Sequence, residues 1–392
     1  MTETAPATQS TRPFAERRTV ARLWRDAAAA GRTRPAYLVE DGEGGWREFS
    51  WEEADQRVRE YANGFLARGV GKGDAVGLLA QNSLDWALLD FALARIGAVV
   101  VPIYASSSER DVGYLLAHSE AVGVVCEDAA QLAKVEAIAA EAPRLEHVLT
   151  YHDLDGLAAH GRDFAAASPD ALDEASDAID EEDLYTIIYT SGTTGPPKGC
   201  MIRHRNYYVM ASVVDEMDTL MRDDDVMLLY LPLAHNYGKL MLLDGAYVGF
   251  TIAFLADPTR VGDALLQVRP TLFPSVPRVY EKVHAAVVAR FDEATGVKRR
   301  LIDWALPIGR EVSRLESEGK PVPRSLATWN TSTATPSIAT LMIDRDANVL
   351  GWWAARVAVT RNGLWNGPRL GTSTPEPSTC CARWGASTPR PG

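Results

Sequence analysis

Apolar residues recur at two different spacings along the first 160 positions of the chain. At positions 51, 54, 58, 61 and 65 they are three or four residues apart, which predicts an amphipathic helix that ends near Gly69. The uninterrupted apolar run at 75–80 predicts a buried parallel strand instead. The same reasoning predicts further helices at 84–96, 111–118 and 129–140, and further strands at 98–101, 122–126 and 147–151. Strands that alternate with helices predict an α/β fold of mostly parallel sheets flanked by helices.

The pattern is less regular after residue 160. Residues 165–183 are rich in Ala, Asp, Glu and Ser, which predicts an exposed connector. The β-branched and aromatic run at 184–189 predicts a strand. We expect a helix at 203–218, a strand at 225–231, and ordered loops lining a cleft in the aromatic and proline-rich stretch up to Pro277.

Composition narrows the class of protein. The chain has 392 residues, of which 46% are hydrophobic and 23% charged, as in a soluble globular protein of two or three structural units. Its formal net charge of −12 argues against non-specific binding of nucleic acid and against a strongly basic membrane-docking surface. No apolar run approaches the length of a membrane-spanning helix, and residues 1–10 lack the apolar stretch of a signal peptide. These features predict a cytoplasmic protein whose contact with membranes, if any, is transient.

The four cysteines do not form a recognisable site. Their spacing matches no zinc-binding pattern. Cys126 lies in an apolar run and is expected to be a small buried hydrophobe. Cys200 has no general base nearby in the sequence, which favours a packing role over catalysis.

Residues 189–199 carry the strongest chemical signal, with the sequence Tyr-Thr-Ser-Gly-Thr-Thr-Gly-Pro-Pro-Lys-Gly. Gly192 and Gly195 allow backbone N–H groups to turn inward, and such a nest of amides suits phosphate oxygens. Hydroxyl side chains add neutral donors and Lys198 adds a positive charge. The spacing does not fit a P-loop, because two residues rather than four separate the glycines and no Ser or Thr follows the lysine.

This run resembles the phosphate-binding signature of the adenylate-forming superfamily, which contains acyl-CoA synthetases, firefly luciferase and peptide-synthetase adenylation domains. Residues 79–86 and 97–104 resemble the early region of the same superfamily. Residues 231–237 and 275–282 are similar to long-chain fatty acyl-CoA synthetases in particular. The resemblance implies a two-step reaction in which a carboxylic acid and ATP form acyl-AMP, and CoA then displaces AMP.

The resemblance also implies roles for individual residues. The phosphates of ATP would be held by Lys198 and by the loop residues Ser191, Gly192, Thr193, Thr194 and Gly195. Thr190 would join them in nucleotide binding and help to ligate Mg²⁺.

Two residues of the later motif are the remaining site candidates. His235 is expected beside the nucleotide and the acyl substrate, as a catalytic residue and part of the substrate pocket. The alternative for His235 is a structural histidine bonded to backbone carbonyls. Tyr237 is expected to line the acyl pocket, with a place in the core as its alternative.

The chain changes character after Arg324. Residues 326–392 contain five of the ten tryptophans and no lysine, and they lack the family's later glycine-rich and Thr-Gly-Asp motifs. We therefore expect a disordered arm at 1–15, an incomplete AMP-binding domain at 16–325, and an aberrant, disordered tail at 326–392. A frameshift is our hypothesis for the tail, and on this view the polypeptide lacks the full reaction. Adenylation of another carboxylic acid and a non-catalytic nucleotide- or acyl-binding remnant are the alternatives.

Overall fold

The structure is a computed structural model that describes residues 17–190, 196–216, 221–318 and 320–323. The predicted arm at 1–15 and the predicted tail at 326–392 lie outside these residues. Two compact units divide the described chain: one extends to Tyr280 and the other begins at Glu281. In the second unit, the last helix carries ion pairs between neighbouring turns, including Arg299 with Asp303 at 2.9 Å and Arg314 with Glu318 at 2.7 Å.

The elements of the described residues are numbered in chain order. The strands are β1 (Tyr37–Glu40), β2 (Trp46–Phe49), β3 (Ala75–Ala80), β4 (Val99–Tyr104), β5 (Gly123–Cys126), β6 (His147–Thr150), β7 (Leu184–Thr190), β8 (Lys198–Arg203), β9 (Val226–Leu229) and β10 (Thr251–Phe254). The helices are α1 (Val20–Ala29), α2 (Trp51–Leu66), α3 (Leu84–Arg95), α4 (Glu109–His118), α5 (Ala129–Ala137), α6 (Leu154–Ala167), α7 (Ala171–Asp177), α8 (His204–Ser212), α9 (Asn236–Val248), α10 (Val261–Val268), α11 (Pro277–Asp292) and α12 (Gly296–Ser317). None of these helices is both long and apolar enough to cross a membrane.

A six-stranded sheet has the order β6-β5-β3-β4-β7-β8, and all its pairs are parallel except β7 with β8. Side chains alternate between its two faces. On β4, Val100 joins the main core, whereas Val99 and Val101 pack with α4 and α5 in a second core. Both faces are covered by helices, which explains why β3 and β4 read as continuous apolar runs. The predicted α/β fold class is confirmed.

A four-stranded sheet has the order β2-β1-β10-β9, with a parallel core of three strands and an antiparallel edge. The main core includes residues of both sheets together with α1, α2, α3, α8 and α9. Helix α3 is buried on nearly all sides, from Trp86 to Arg95, as expected for a helix inside a core.

Two sequence-based predictions about secondary structure were wrong. Residues 165–183 are not a simple exposed connector, because they hold the end of α6 and the whole of α7. Ser176 on α7 is buried and accepts a 2.9 Å hydrogen bond from the Arg95 guanidinium. The stretch from 232 to 277 is not only loops, since it contains α9, β10 and α10.

A buried ion pair joins three elements of the main core. Lys239 on α9 places Nζ 2.6 Å from Oδ1 of Asp90 on α3, and both side chains are fully buried. The hydroxyl of Tyr185 on β7 donates to the other carboxylate oxygen of Asp90 at 2.6 Å. The ammonium also lies 4.2 Å from the centre of the Tyr185 ring and 5.4 Å from that of Trp86. Burial lowers the pKa of Lys239, and the Asp90 carboxylate opposes that shift.

Removing one partner of this pair should be strongly destabilising. Asp90→Asn leaves a buried ammonium without its counter-charge, so we expect the free energy of unfolding in urea to fall by about 3–5 kcal/mol. Lys239→Met should also destabilise, and the double variant should lose less than the sum of the two single variants because neither charge is then stranded. Asp26→Asn, which breaks the exposed Arg22–Asp26 pair, is the control and should cost only about 0.3–0.5 kcal/mol. Additive losses at positions 90 and 239 would contradict the coupling.

Candidate active site

The predicted phosphate loop connects two antiparallel strands. Strand β7 ends at Thr190 and β8 begins at Lys198. These two residues are the last register pair of the two strands before the loop. Both side chains are exposed. Ser191, Gly192, Thr193, Thr194 and Gly195 lie outside the described residues, so their predicted role in phosphate binding stays a prediction. The structure therefore describes both ends of the loop, one carrying a hydroxyl and the other a positive charge.

The side chains of Thr190 and Lys198 share one face of the sheet. Residues two apart on a strand point the same way, so Thr190 points to the side of Ile188, which is buried in the main core. Cys200, the register partner of Ile188, points to that side as well. Burial and then Asp90 are the main causes that raise the pKa of Tyr207 on α8, and Cys200 adds a smaller effect. Cys200 is exposed, so its predicted packing role was wrong, whereas Cys126 is buried as predicted. The loop ends thus face the side on which α8 packs.

Helix α8 links this face to the candidate histidine. The Tyr207 hydroxyl donates a 2.6 Å hydrogen bond to Oδ1 of Asn236, the first residue of α9. The preceding residue, His235, is exposed and caps α9. Its Nδ1 accepts a 3.1 Å hydrogen bond from the Tyr237 N–H, so the neutral ring carries its proton on Nε2. His235 is therefore a helix cap, and its Nε2 has no hydrogen-bond partner among the residues that the structure describes. Its catalytic role stays a prediction.

The turn before α9 is fixed by a buried amide. Asn82, at the carboxyl end of β3, donates to the Leu231 carbonyl and accepts from the Leu233 N–H, both at 2.8 Å. At the start of α9, a Cβ on Gly238 would lie 2.3 Å from the Pro232 carbonyl oxygen. This close approach admits only glycine without a shift of the backbone, so the position of His235 is tightly specified.

Tyr237 and Asp244 lie on the same side of α9, two turns apart. Tyr237 is half-buried and packs against the main core, which supports the core alternative, and its place in an acyl pocket stays a prediction. Burial, with a smaller effect of Asp244, raises the pKa of Tyr237 to about 12, so its hydroxyl stays neutral. Asp244 is fully buried and its Oδ1 has no hydrogen-bond partner within the described part of the chain. Burial raises the pKa of this carboxyl well above its ordinary value.

The described residues offer few ligands for a metal ion. They hold no group of three or more His, Cys, Asp or Glu side chains that could bind one. Magnesium bound with a nucleotide takes most of its oxygens from phosphates and water, so the Thr190 hydroxyl fits as one ligand among these. The predicted Mg²⁺ role of Thr190 stays a prediction.

Comparison of the sequence with protein families identifies the class of protein. The sequence model of the family AMP-binding, described as AMP-binding enzyme, matches residues 23–341. The chain belongs to this family, which confirms the resemblance to adenylate-forming enzymes.

The curated relatives are long-chain fatty acyl-CoA ligases. The chain is 34% identical over 248 residues to the long-chain-fatty-acid–CoA ligase FadD15 of Mycobacterium bovis, covering 62% of this chain and 41% of that protein. It is 27% identical over 319 residues to the human long-chain-fatty-acid–CoA ligase ACSBG2, covering 77% of this chain and 47% of that protein. The chain thus spans less than half the length of these relatives.

Solved structures agree on the fold. The N-terminal domain of FACL13 from Mycobacterium tuberculosis superposes with a TM-score of 0.57 at 25% identity, over 67% of this chain and 64% of that one. The anthranilate CoA ligase AuaEII gives the same TM-score at 22% identity, over 68% and 51% of the two chains. The second likeness, at this identity, bears on the fold alone.

The buried carboxyl of Asp244 predicts a pH-dependent stability. Its pKa is higher in the folded than in the unfolded chain, so the folded state binds the extra proton, and stability falls as pH rises above about 4. Asp244→Asn removes this titration, so its stabilising effect in urea unfolding should be larger at pH 7 than at pH 5. Asp163→Asn, at an exposed position, is the control and should show no such difference. A stability difference between Asp244→Asn and the native chain that does not grow with pH would contradict the assignment.

Proposed function

We propose that this chain takes part in the ATP-dependent activation of a long-chain fatty acid, through acyl-AMP to acyl-CoA. The observation that carries the proposal is the placement of three exposed groups, Thr190, Lys198 and His235, on elements that adjoin α8. Thr190 and Lys198 lie at the loop end of the hairpin strands, and β8 leads directly into α8. His235 caps α9, whose first residue, Asn236, accepts a hydrogen bond from Tyr207 on α8. Membership of the AMP-binding family supports the nucleotide, and the fatty acyl-CoA ligases among the relatives support the substrate class.

The two steps of the proposed reaction suggest a role for Lys198 and for His235. In the first step a carboxylate oxygen bonds to the α-phosphorus of ATP, and the bond from that phosphorus to pyrophosphate breaks. Negative charge develops on the phosphoryl oxygens, so fixed donors and cations beside them lower the barrier. Lys198 supplies a cation to the leaving pyrophosphate, and the Nε2–H of His235 supplies a donor to the α-phosphate or the carboxylate. In the second step the sulfur of CoA bonds to the acyl carbon, the bond from that carbon to the phosphate oxygen of AMP breaks, and the thiol proton passes to water.

Mg²⁺ would neutralise phosphate charge when bound, with the Thr190 hydroxyl as one of its oxygen ligands. The half-buried ring of Tyr237 offers an apolar edge to the acyl chain. We also propose a cytoplasmic location with no more than transient membrane contact, as the sequence predicts.

The first test of the proposal is nucleotide binding. A ligand that binds only the folded state at 100 times its Kd adds about 2.7 kcal/mol of stability, so ATP with Mg²⁺ should raise the Tm of the native chain clearly. Lys198→Ala removes a charged contact to phosphate, which is typically about 1.5–3 kcal/mol, so the Kd for ATP should rise roughly 10- to 100-fold. Lys320→Ala removes the same charge from an exposed position and should leave the Kd unchanged. Equal affinities for all three chains, or no binding by the native chain, would contradict the proposal.

The second test concerns turnover and the acid. The later glycine-rich and Thr-Gly-Asp motifs of the superfamily are absent from residues 326–392, so we propose that this polypeptide alone releases no pyrophosphate in a reaction that depends on fatty acid. With ATP and Mg²⁺ present, palmitate should raise the Tm further than acetate or benzoate does. Clear turnover with palmitate, ATP and CoA would contradict the expected absence of pyrophosphate release. A larger effect of a short or aromatic acid would favour a different acid, and stabilisation by ATP with no response to any acid would favour a nucleotide-binding remnant.

A further inference from the structure

A cluster of three aromatic rings lies on the opposite face of the hairpin from Thr190 and Lys198. Tyr189 precedes Thr190 on β7 and therefore points to the other side of the sheet. There it meets Tyr114 and His118, which are four residues apart on α4. We call these three residues the hairpin clamp.

The clamp holds the β8 end of the loop through Tyr114. The Tyr114 hydroxyl donates a 3.1 Å hydrogen bond to the carbonyl of Pro197, the residue directly before Lys198. Pro197 has no N–H and cannot add a further rung to the ladder with β7. The contact with α4 therefore fixes the backbone where the ladder itself stops.

The clamp holds the β7 end through His118. Nδ1 of His118 lies 2.9 Å from the hydroxyl oxygen of Tyr189. The rings of Tyr114 and His118 each meet the Tyr189 ring edge-on, with centroids 6.3 and 5.7 Å away. Helix α4 thus contacts Tyr189, which precedes Thr190, and Pro197, which precedes Lys198.

We propose that Tyr114 and His118 are positioning residues, which hold Thr190 and Lys198 at the spacing that a polyphosphate requires. The proposal rests on the proposed function of this hairpin. Thr190 and Lys198 are exposed, so packing within the described part of the chain does little to order their side chains. Ordering a free strand end at the moment of binding costs conformational entropy, and a backbone fixed beforehand avoids that cost.

Pyrophosphate with Mg²⁺ is the probe, and Tyr114→Phe is the main variant, since it keeps the ring and removes only the bond to Pro197. We expect the Kd for pyrophosphate to rise about 5- to 10-fold, in line with one lost hydrogen bond. The urea midpoint without ligand should change little. Without ligand, the amides of residues 188–190 and 198–200 should exchange with deuterium several-fold faster than in the native chain.

His118 supplies a rescue test. His118→Ala should weaken pyrophosphate binding, and His118→Asn should restore most of it, because the amide oxygen can replace Nδ1 as the partner of Tyr189. Tyr247→Phe is the matched control, since it removes a hydroxyl bonded to Asp215 on other elements and should change neither binding nor exchange at the hairpin.

The outcomes separate the clamp from the proposed function. Native affinity and native exchange in Tyr114→Phe would overturn the clamp, as would a loss of affinity that only follows a loss of global stability. Absence of pyrophosphate binding by the native chain, with faster exchange in Tyr114→Phe, would uphold the clamp as a holder of the hairpin and overturn the phosphate function instead.

Discussion

The buried carboxylate of Asp90 is the constraint on which both halves of the candidate site depend. A charge inside a core is tolerated only when partners reach it, and here they come from Lys239 on α9 and Tyr185 on β7. Tyr185 lies on β7, which ends at Thr190, and Lys239 lies in the first turn of α9, which His235 caps. Satisfying Asp90 therefore fixes the approach of the strand that leads to the predicted phosphate loop and of the helix that His235 caps.

The exposed groups of the site take their positions from less exposed neighbours. Asn82 fixes the turn before His235, and Tyr207 donates a hydrogen bond to Asn236, the residue after it. Helix α4 contacts the hairpin on the face opposite to Thr190 and Lys198. A side chain that must meet a ligand cannot also be buried, so its precision has to come from the backbone that carries it. The exposed candidate ligands are therefore few, whereas the polar contacts that hold their backbone segments are many.

Local patterns in the sequence were enough to predict much of this arrangement. The alternation of helices and parallel strands from α2 to β6 and the strand leading to Thr190 were both predicted, because they depend on periodicity and side-chain shape over a few residues. Helix α1 and strands β1 and β2 were not predicted. Strand β8 was missed, since Pro-Pro-Lys-Gly at its start is typical of a loop and only its pairing with β7 makes it a strand. Helix α9 was missed for a similar reason. A lysine at position 239 argues against a buried helix in the sequence alone, because its partner Asp90 lies 149 residues earlier. The residues of the candidate site and the loop were proposed from a local motif and stay predictions. The supports at Asn82, Tyr114 and Tyr207 could not be predicted, because contacts between distant segments leave no local signal.

The central claim is that the hairpin ends and the start of α9 form one polyphosphate site. A crystal structure of this chain with ATP and Mg²⁺ tests it most directly. The account predicts the β- and γ-phosphates between Thr190 and Lys198, with Nε2 of His235 turned toward the α-phosphate. A nucleotide bound without contact to Lys198, or with His235 turned away from it, would contradict the account.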